Sequence, residues 1–176
     1  LEGSILFMPV PDEESYSAGM RNGIKILKDL KEKYDLDYKL LIDPEPTNQV
    51  DGAQVMSLGS VGKIMPAIIV QGKKGHAGHC YEGFSAISIL SEIYQRTNGS
   101  LEFSDVYEDE AAVPPTWANL RDMKKGYDVS IPHRAYGYFT AFAFDSTPED
   151  VLEKLRKICI ESFEQQVRKL DGEYQE

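Results

Sequence analysis

Two short apolar runs, each cut off by a proline-and-acid bend and separated by one amphipathic stripe, constrain this chain more than any other feature. Ser4-Ile5-Leu6-Phe7-Met8 is continuous in hydrophobicity, as a strand buried on both faces is, and it stops at Pro9-Val10-Pro11-Asp12-Glu13-Glu14. A helix follows, with Ser17 at the N-cap position and Met20, Ile24, Leu27, Leu30 and Tyr34 along one face. Tyr38-Lys39-Leu40-Leu41-Ile42 is the second run, ended by Asp43-Pro44-Glu45-Pro46-Thr47. Strand, helix and strand at this spacing predict a parallel β-α-β unit. Its acids then lie past the carboxyl ends of the strands, where open α/β sheets build their sites.

From about residue 61 the texture changes. Ile64 to Gln71 predicts a strand, Gly72 to Gly83 a loop rich in Gly and His, and Phe84 to Thr97 a helix burying Phe84, Ile87, Leu90 and Tyr94. Asn98 to Pro115 is acidic and aperiodic, a long loop. Thr116 to Arg121 and Tyr136 to Phe144 predict strands, the second with Tyr136, Tyr138, Thr140, Phe142 and Phe144 on one face. Thr147-Pro148-Glu149-Asp150 announces a last helix, whose stripe is Val151, Leu155, Ile158, Cys159, Phe163, Val167 and Leu170. The order β-α-β-β-α is that of a ferredoxin-like sandwich short of its final strand. The expected domains are residues 1–60, part of a catalytic domain, and 61–176, a smaller α+β domain. The chain opens without Met almost directly on a strand and stops before a closing strand, as an internal piece of a longer protein would.

Charge and composition exclude some functions. Nineteen basic against 29 acidic residues give a net charge of −10, and no basic stripe is present, so a partner tracked by its phosphates is not expected. At 41% hydrophobic residues the chain can bury a core. No apolar run approaches a membrane span. The two cysteines, Cys80 and Cys159, form no CxxC and suit a reducing cytoplasm.

Three groups could carry chemistry. Successive side chains in extended structure point to opposite sides, so one of Glu13 and Glu14 can ligate a metal while its neighbour takes a proton from water. Taken alone such a pair is a poor signal and reads as a solvated turn, since exposed acids are the rule. Asp43 and Glu45, at the end of the next strand, could join them in an oxygen-rich cluster that a cation would neutralise, or stand exposed on a stiff loop. His76 and His79 lie on the Gly-rich loop without the further ligands that structural zinc needs, so a hydrogen-bonding role fits one of them better. His133, after Ile131-Pro132, reads as a surface residue. No nucleophile elbow or phosphate loop is present.

The ordered set PDEE, helix, DPEPTN, VGKIMPAIIVQGKKGHAGH and YEGFSAI resembles the di-zinc aminoacylase, carboxypeptidase-G and succinyl-diaminopimelate desuccinylase family, most nearly its bacterial arginine-utilisation branch. The resemblance runs over nearly the whole chain. It implies a zinc-peptidase-like parallel sheet followed by a ferredoxin-like lid that makes a homodimer. It implies Glu13 as general base, Glu14 and Glu45 as zinc ligands, with Asp43 the alternative to Glu45, and His76 as a lid residue assisting the tetrahedral intermediate across the dimer. Two zinc ions per site, or cobalt or manganese, and a small peptide or N-acyl amino-acid substrate follow from the same resemblance. Two departures stand out. The family's His-x-Asp motif, its bridging Asp and its C-terminal His ligand are not in these residues, and Phe142 or a neighbour replaces the lid Arg that holds a substrate carboxylate. The rival expectation is a dimerisation or binding module with a vestigial metal site. A ferredoxin-like nucleic-acid binder would need basic and aromatic residues together on its strands, against the charge found here.

Overall fold

The computed structural model describes residues 3–44, 49–50 and 52–175 and divides the chain into two compact units, Leu1–Ser57 and Leu58–Glu176.

In the first unit, α1 (Ala18–Tyr34) is the main element. Its Gly19 and Gly23, one turn apart, let the preceding segment lie against it. A Cβ on Gly19 would sit 2.4 Å from the Pro11 carbonyl oxygen, and one on Gly23 would meet Met8 at 3.1 Å. Ser17 does occupy the N-cap position, but its hydroxyl donates to the Glu13 carbonyl (3.1 Å) and caps no helix N–H. Past the left-handed Asp35, the Tyr38 hydroxyl donates to the Leu27 carbonyl (2.9 Å), tying the chain back to the helix. A two-residue hairpin of β1 (Gln49–Val50) and β2 (Ala53–Gln54) turns through Gly52 at φ 78°.

The β-α-β expectation is corrected here. Residues 4–8 and 38–42 form no strand, and among the described residues every strand pair is antiparallel. Ile5, Phe7 and Leu41 are 97%, 83% and 81% exposed. The physical reason is that a parallel strand needs hydrogen-bonding neighbours and a cover on both faces. Among its described residues the first unit supplies one helix and a hairpin of two-residue strands that pair with each other, so these apolar runs stay unpaired.

In the second unit, β3 (Gly62–Ile64) and β4 (Ala67–Gln71) share one edge and one register on β8 (Arg134–Ala143). They form a single strand interrupted at Met65-Pro66, where proline has no N–H to give the ladder. Between β4 and β8 come α2 (Ala86–Thr97), a β5 (Val106–Tyr107) and β6 (Glu110–Ala111) hairpin inside the expected long loop, and β7 (Thr116–Asp122). β7 pairs with the opposite edge of β8 and bulges between Trp117 and Asn119. The sheet order is therefore β3/β4, β8, β7.

The last helix, α3 (Pro148–Gln175), starts with a reciprocal cap: the Asp150 N–H donates to Thr147 Oγ1 (3.2 Å) and the Thr147 N–H to Asp150 Oδ2 (2.8 Å). Ala86, Ile89, Leu90 and Ile93 of α2 and Val151, Leu155 and Ile158 of α3 pack on Phe139, Ala135 and Ala141 of β8 with Ile68 and Val70. The buried row of β8 is thus its small residues and Phe139, and the Tyr136, Tyr138, Thr140, Phe142 row is the opposite, half-exposed face. The α2 stripe is rotated from the expected one: Leu90 is shared, but Ile89 and Ile93 replace Ile87 and Tyr94.

Candidate functional site

The acidic bend precedes α1 as a tight turn. Asp12 (φ 60°), Tyr16 (φ 63°) and Ser17 (φ 48°) are left-handed, and the Ser15 N–H closes on the Asp12 carbonyl at 3.1 Å. Glu13 and Glu14 sit on the outside of this turn, both exposed, and Asp43 is exposed on its own segment. Glu45 lies outside the described residues. Among the described residues no group of three or more His, Cys, Asp or Glu side chains is gathered as a metal would require. Two adjacent carboxylates are suitable hard ligands, so this segment fits a metal only as one contributor to a wider set.

The His loop is built more firmly. It continues the β4–β8 ladder in register through the Gly72 N–H, which donates to the His133 carbonyl (2.8 Å), and then one residue out of step, with the Ile131 N–H donating to the Gly75 carbonyl (2.8 Å) and the Ala77 N–H to the Val129 carbonyl (2.8 Å). His76 lies between the last two, opposite Ser130. Gly75 and Gly83 stand back to back, and a Cβ on Gly83 would press to 2.6 Å from Ile131 Cδ1. The loop closes through short 3-10 turns over Ala77–Glu82, kinked at His79 and N-capped by His76 itself.

That cap fixes the imidazole. His76 Nδ1 accepts the Gly78 N–H at 3.0 Å, so the neutral ring carries its proton on Nε2 and offers a donor to whatever faces the loop. The His79 ring meets it edge-on at 5.8 Å and turns its own Nδ1 toward Glu82 (3.7 Å). The two rings therefore have different protein partners. His133 gives its carbonyl to the ladder.

Reading residues one by one misses what holds the loop. Lys124 Nζ donates to the carbonyls of Asp128 (2.9 Å) and Ser130 (3.0 Å) and pairs with Asp128 Oδ1 (2.8 Å). Asp128 Oδ1 also accepts the Ser130 N–H (2.8 Å) and hydroxyl. The Lys124 bond, then those from Ser130, hold the Asp128 carboxyl well below the usual carboxylate range. The signal available in sequence was Asp128-Val129-Ser130, an Asx-turn pattern.

Comparison with known proteins gives the chain relatives. It is 29% identical over 179 residues to Protein RocB of Bacillus subtilis (strain 168), covering all of this chain and 32% of RocB. It is 27% identical over 181 residues to the uncharacterized protein YqjN of the same organism, covering 99% of this chain and 33% of YqjN. The chain thus spans about a third of the length of these curated relatives. No protein-family model matches. Among solved structures, that of AtUAH in complex with (S)-hydroxyglycine matches 64% of this chain and 24% of its own, at 18% identity and a TM-score of 0.39. The relatives fit the arginine-utilisation branch of the di-zinc peptidase family that the sequence resembles. The chain is similar to both RocB and YqjN.

Proposed function

We infer that the chain is part of a metal-dependent hydrolase of amide bonds, a peptidase or N-deacylase, acting on a small peptide or N-acyl amino acid in arginine or amino-acid catabolism. The carrying observation is the similarity to RocB over the whole chain, which takes in both the acidic bend and the His loop. In the full-length parent Glu14 and Glu45 are metal ligands, alongside others outside these residues. A divalent metal, zinc first, supplies water made acidic enough to attack when it is bound. Glu13 takes the proton of that water and returns it to the leaving amine, and His76 donates its Nε2–H to the developing oxyanion.

The order β3/β4, β8, β7 with α2 and α3 on one face supports reading residues 61–176 as a ferredoxin-like lid short of its last strand. Among the described residues the outer edge of β3/β4 carries no partner strand, which suits a further strand or a second subunit there. The unpaired runs at 4–8 and 38–42 suit strands whose sheet is completed by the rest of the parent. Among the described residues no helix is long and apolar enough to cross a membrane.

The test uses the full-length parent. Glu13→Gln removes a base and no ligand, so turnover is expected to vanish with metal content nearly intact, whereas Glu14→Gln is expected to lose metal. The reverse pattern would exchange the two roles. A wild-type parent without metal or amide-hydrolase activity overturns the reading in favour of a binding or dimerisation module.

A further inference from the structure

His76 stands on a Gly-rich loop at the N-cap of a short 3-10 turn, and its backbone is bracketed on both sides by bonds to one segment, 129–131. The Ala77 N–H reaches Val129 and the Gly75 carbonyl receives Ile131, each at 2.8 Å. That segment is itself irregular. It lies in the connection between β7 and β8, which contributes no ladder bonds over residues 123–128 beyond that of Met123. On its far side from the His loop it is held by the Asp128–Ser130 turn and by one cation. Lys124 is only 18% exposed, is anchored at its own backbone by Asp122 Oδ1 (2.8 Å), and puts its ammonium on the carbonyls of Asp128 and Ser130 and on the Asp128 carboxylate. All three acceptors fall within or directly before the three residues that hold His76.

We propose that Lys124, Asp128 and Ser130 form a positioning lock that sets the aim of His76 from the other strand of the ladder; this rests on His76 being the lid's hydrogen-bond donor. The physical case is that a donor must sit within a few tenths of an ångström of where charge develops, and a Gly-rich loop cannot supply that accuracy alone. Gly75, Ala77 and Gly78 have no side chains able to stiffen it. The lock does so without touching substrate: the ammonium closes the 124–130 turn, the closed turn fixes the 129 and 131 backbone, and that backbone fixes 75 and 77. Charge matters as well as shape, since a neutral side chain at 124 leaves two carbonyls and a carboxylate facing one another.

Two measurements test this separately from the function. On this chain, amide hydrogen exchange of Ala77, Gly78 and Ile131 is compared between wild type, Lys124→Met and Lys124→Arg. Exchange at these three amides is expected to rise about ten-fold or more in Lys124→Met, with Phe139 and Ala141 unchanged, and to recover in Lys124→Arg. Ser130→Ala, a milder change, is the second variant should Lys124→Met fail to fold, and is expected to raise the same three rates. Unchanged rates in the folded variants overturn the lock. In the full-length parent, Lys124→Met is expected to lower kcat about ten-fold with KM within about two-fold, because aim and not affinity is lost. If His76→Ala lowers kcat and Lys124→Met does not, the lock is wrong and the reading of His76 stands. If His76→Ala itself leaves kcat intact, the reading of His76 is what fails.

Discussion

Removing the carboxylate of Asp105 is expected to cost the second unit more than any other single surface change. Asp105 Oδ2 accepts three consecutive backbone N–H groups, from Phe144 (2.8 Å), Asp145 (2.9 Å) and Ser146 (2.8 Å), and Oδ1 accepts that of Val106 (3.1 Å). It therefore fastens the excursion between α2 and β7 to the corner where β8 turns into α3. Bonds to a charged acceptor contribute roughly 1.5–3 kcal/mol each when dry, but Asp105 is half-buried and the freed donors can bind water. We expect about 2–3 kcal/mol for Asp105→Ala and about 1 kcal/mol for Asp105→Asn, whose amide oxygen can keep the three-donor seat without the charge. The pH dependence has a definite sign. The three N–H groups, the Ser146 N–H first, hold this carboxyl down at about 2 against an ordinary 3.8. A depressed pKa stabilises the fold fully above about pH 4 and loses that stabilisation as the pH falls towards 2. Urea unfolding followed by Trp117, the one tryptophan and a neighbour of Phe139, reads this unit directly. A difference between wild type and Asp105→Ala under about 0.5 kcal/mol, or one that persists unchanged to pH 2, would refute the reasoning.

Gly137→Ala places a Cβ 2.5 Å from Trp117 Cζ3 and 2.6 Å from the Asn119 carbonyl oxygen, so overpacking of about 1–3 kcal/mol is expected in the same unfolding assay. The isolated chain, whose described residues gather no three-ligand group, is expected to hold zinc only weakly; stoichiometric binding at micromolar or tighter affinity in calorimetry would contradict that.

The second unit was readable because its signals are local and agree with one another. Alternation in residues 136–144 pointed to the central strand, found at Arg134–Ala143, and Thr147 with Asp150 marked the start of α3, where both sequence and structure obey capping chemistry. The alternation in β8 left open which row is buried, because side-chain size marks the core only when the facing layer leaves room. Here two helices press on that sheet, so the small residues beside Phe139 are the buried ones. The first unit was less readable for the opposite reason. Its apolar runs describe strands in need of neighbours, and no local pattern says whether the neighbours are supplied. His76 was visible as a residue type, but its tautomer came from the Gly78 amide and its support from Lys124, 48 positions on (124 − 76), which no spacing rule connects.

The measurement closest to the central claim, that the acidic bend and the His loop serve one reaction, is complementation between two inactive forms of the full-length parent. Glu13→Gln and His76→Ala variants are mixed under conditions where subunits exchange. If His76 reaches the partner subunit's acids, each mixed dimer keeps one site with both wild-type residues. Activity then returns to about half of wild type per mixed dimer and about a quarter overall at random mixing, by symmetry counting. No recovery, with exchange confirmed by mass, would contradict the shared site across the dimer.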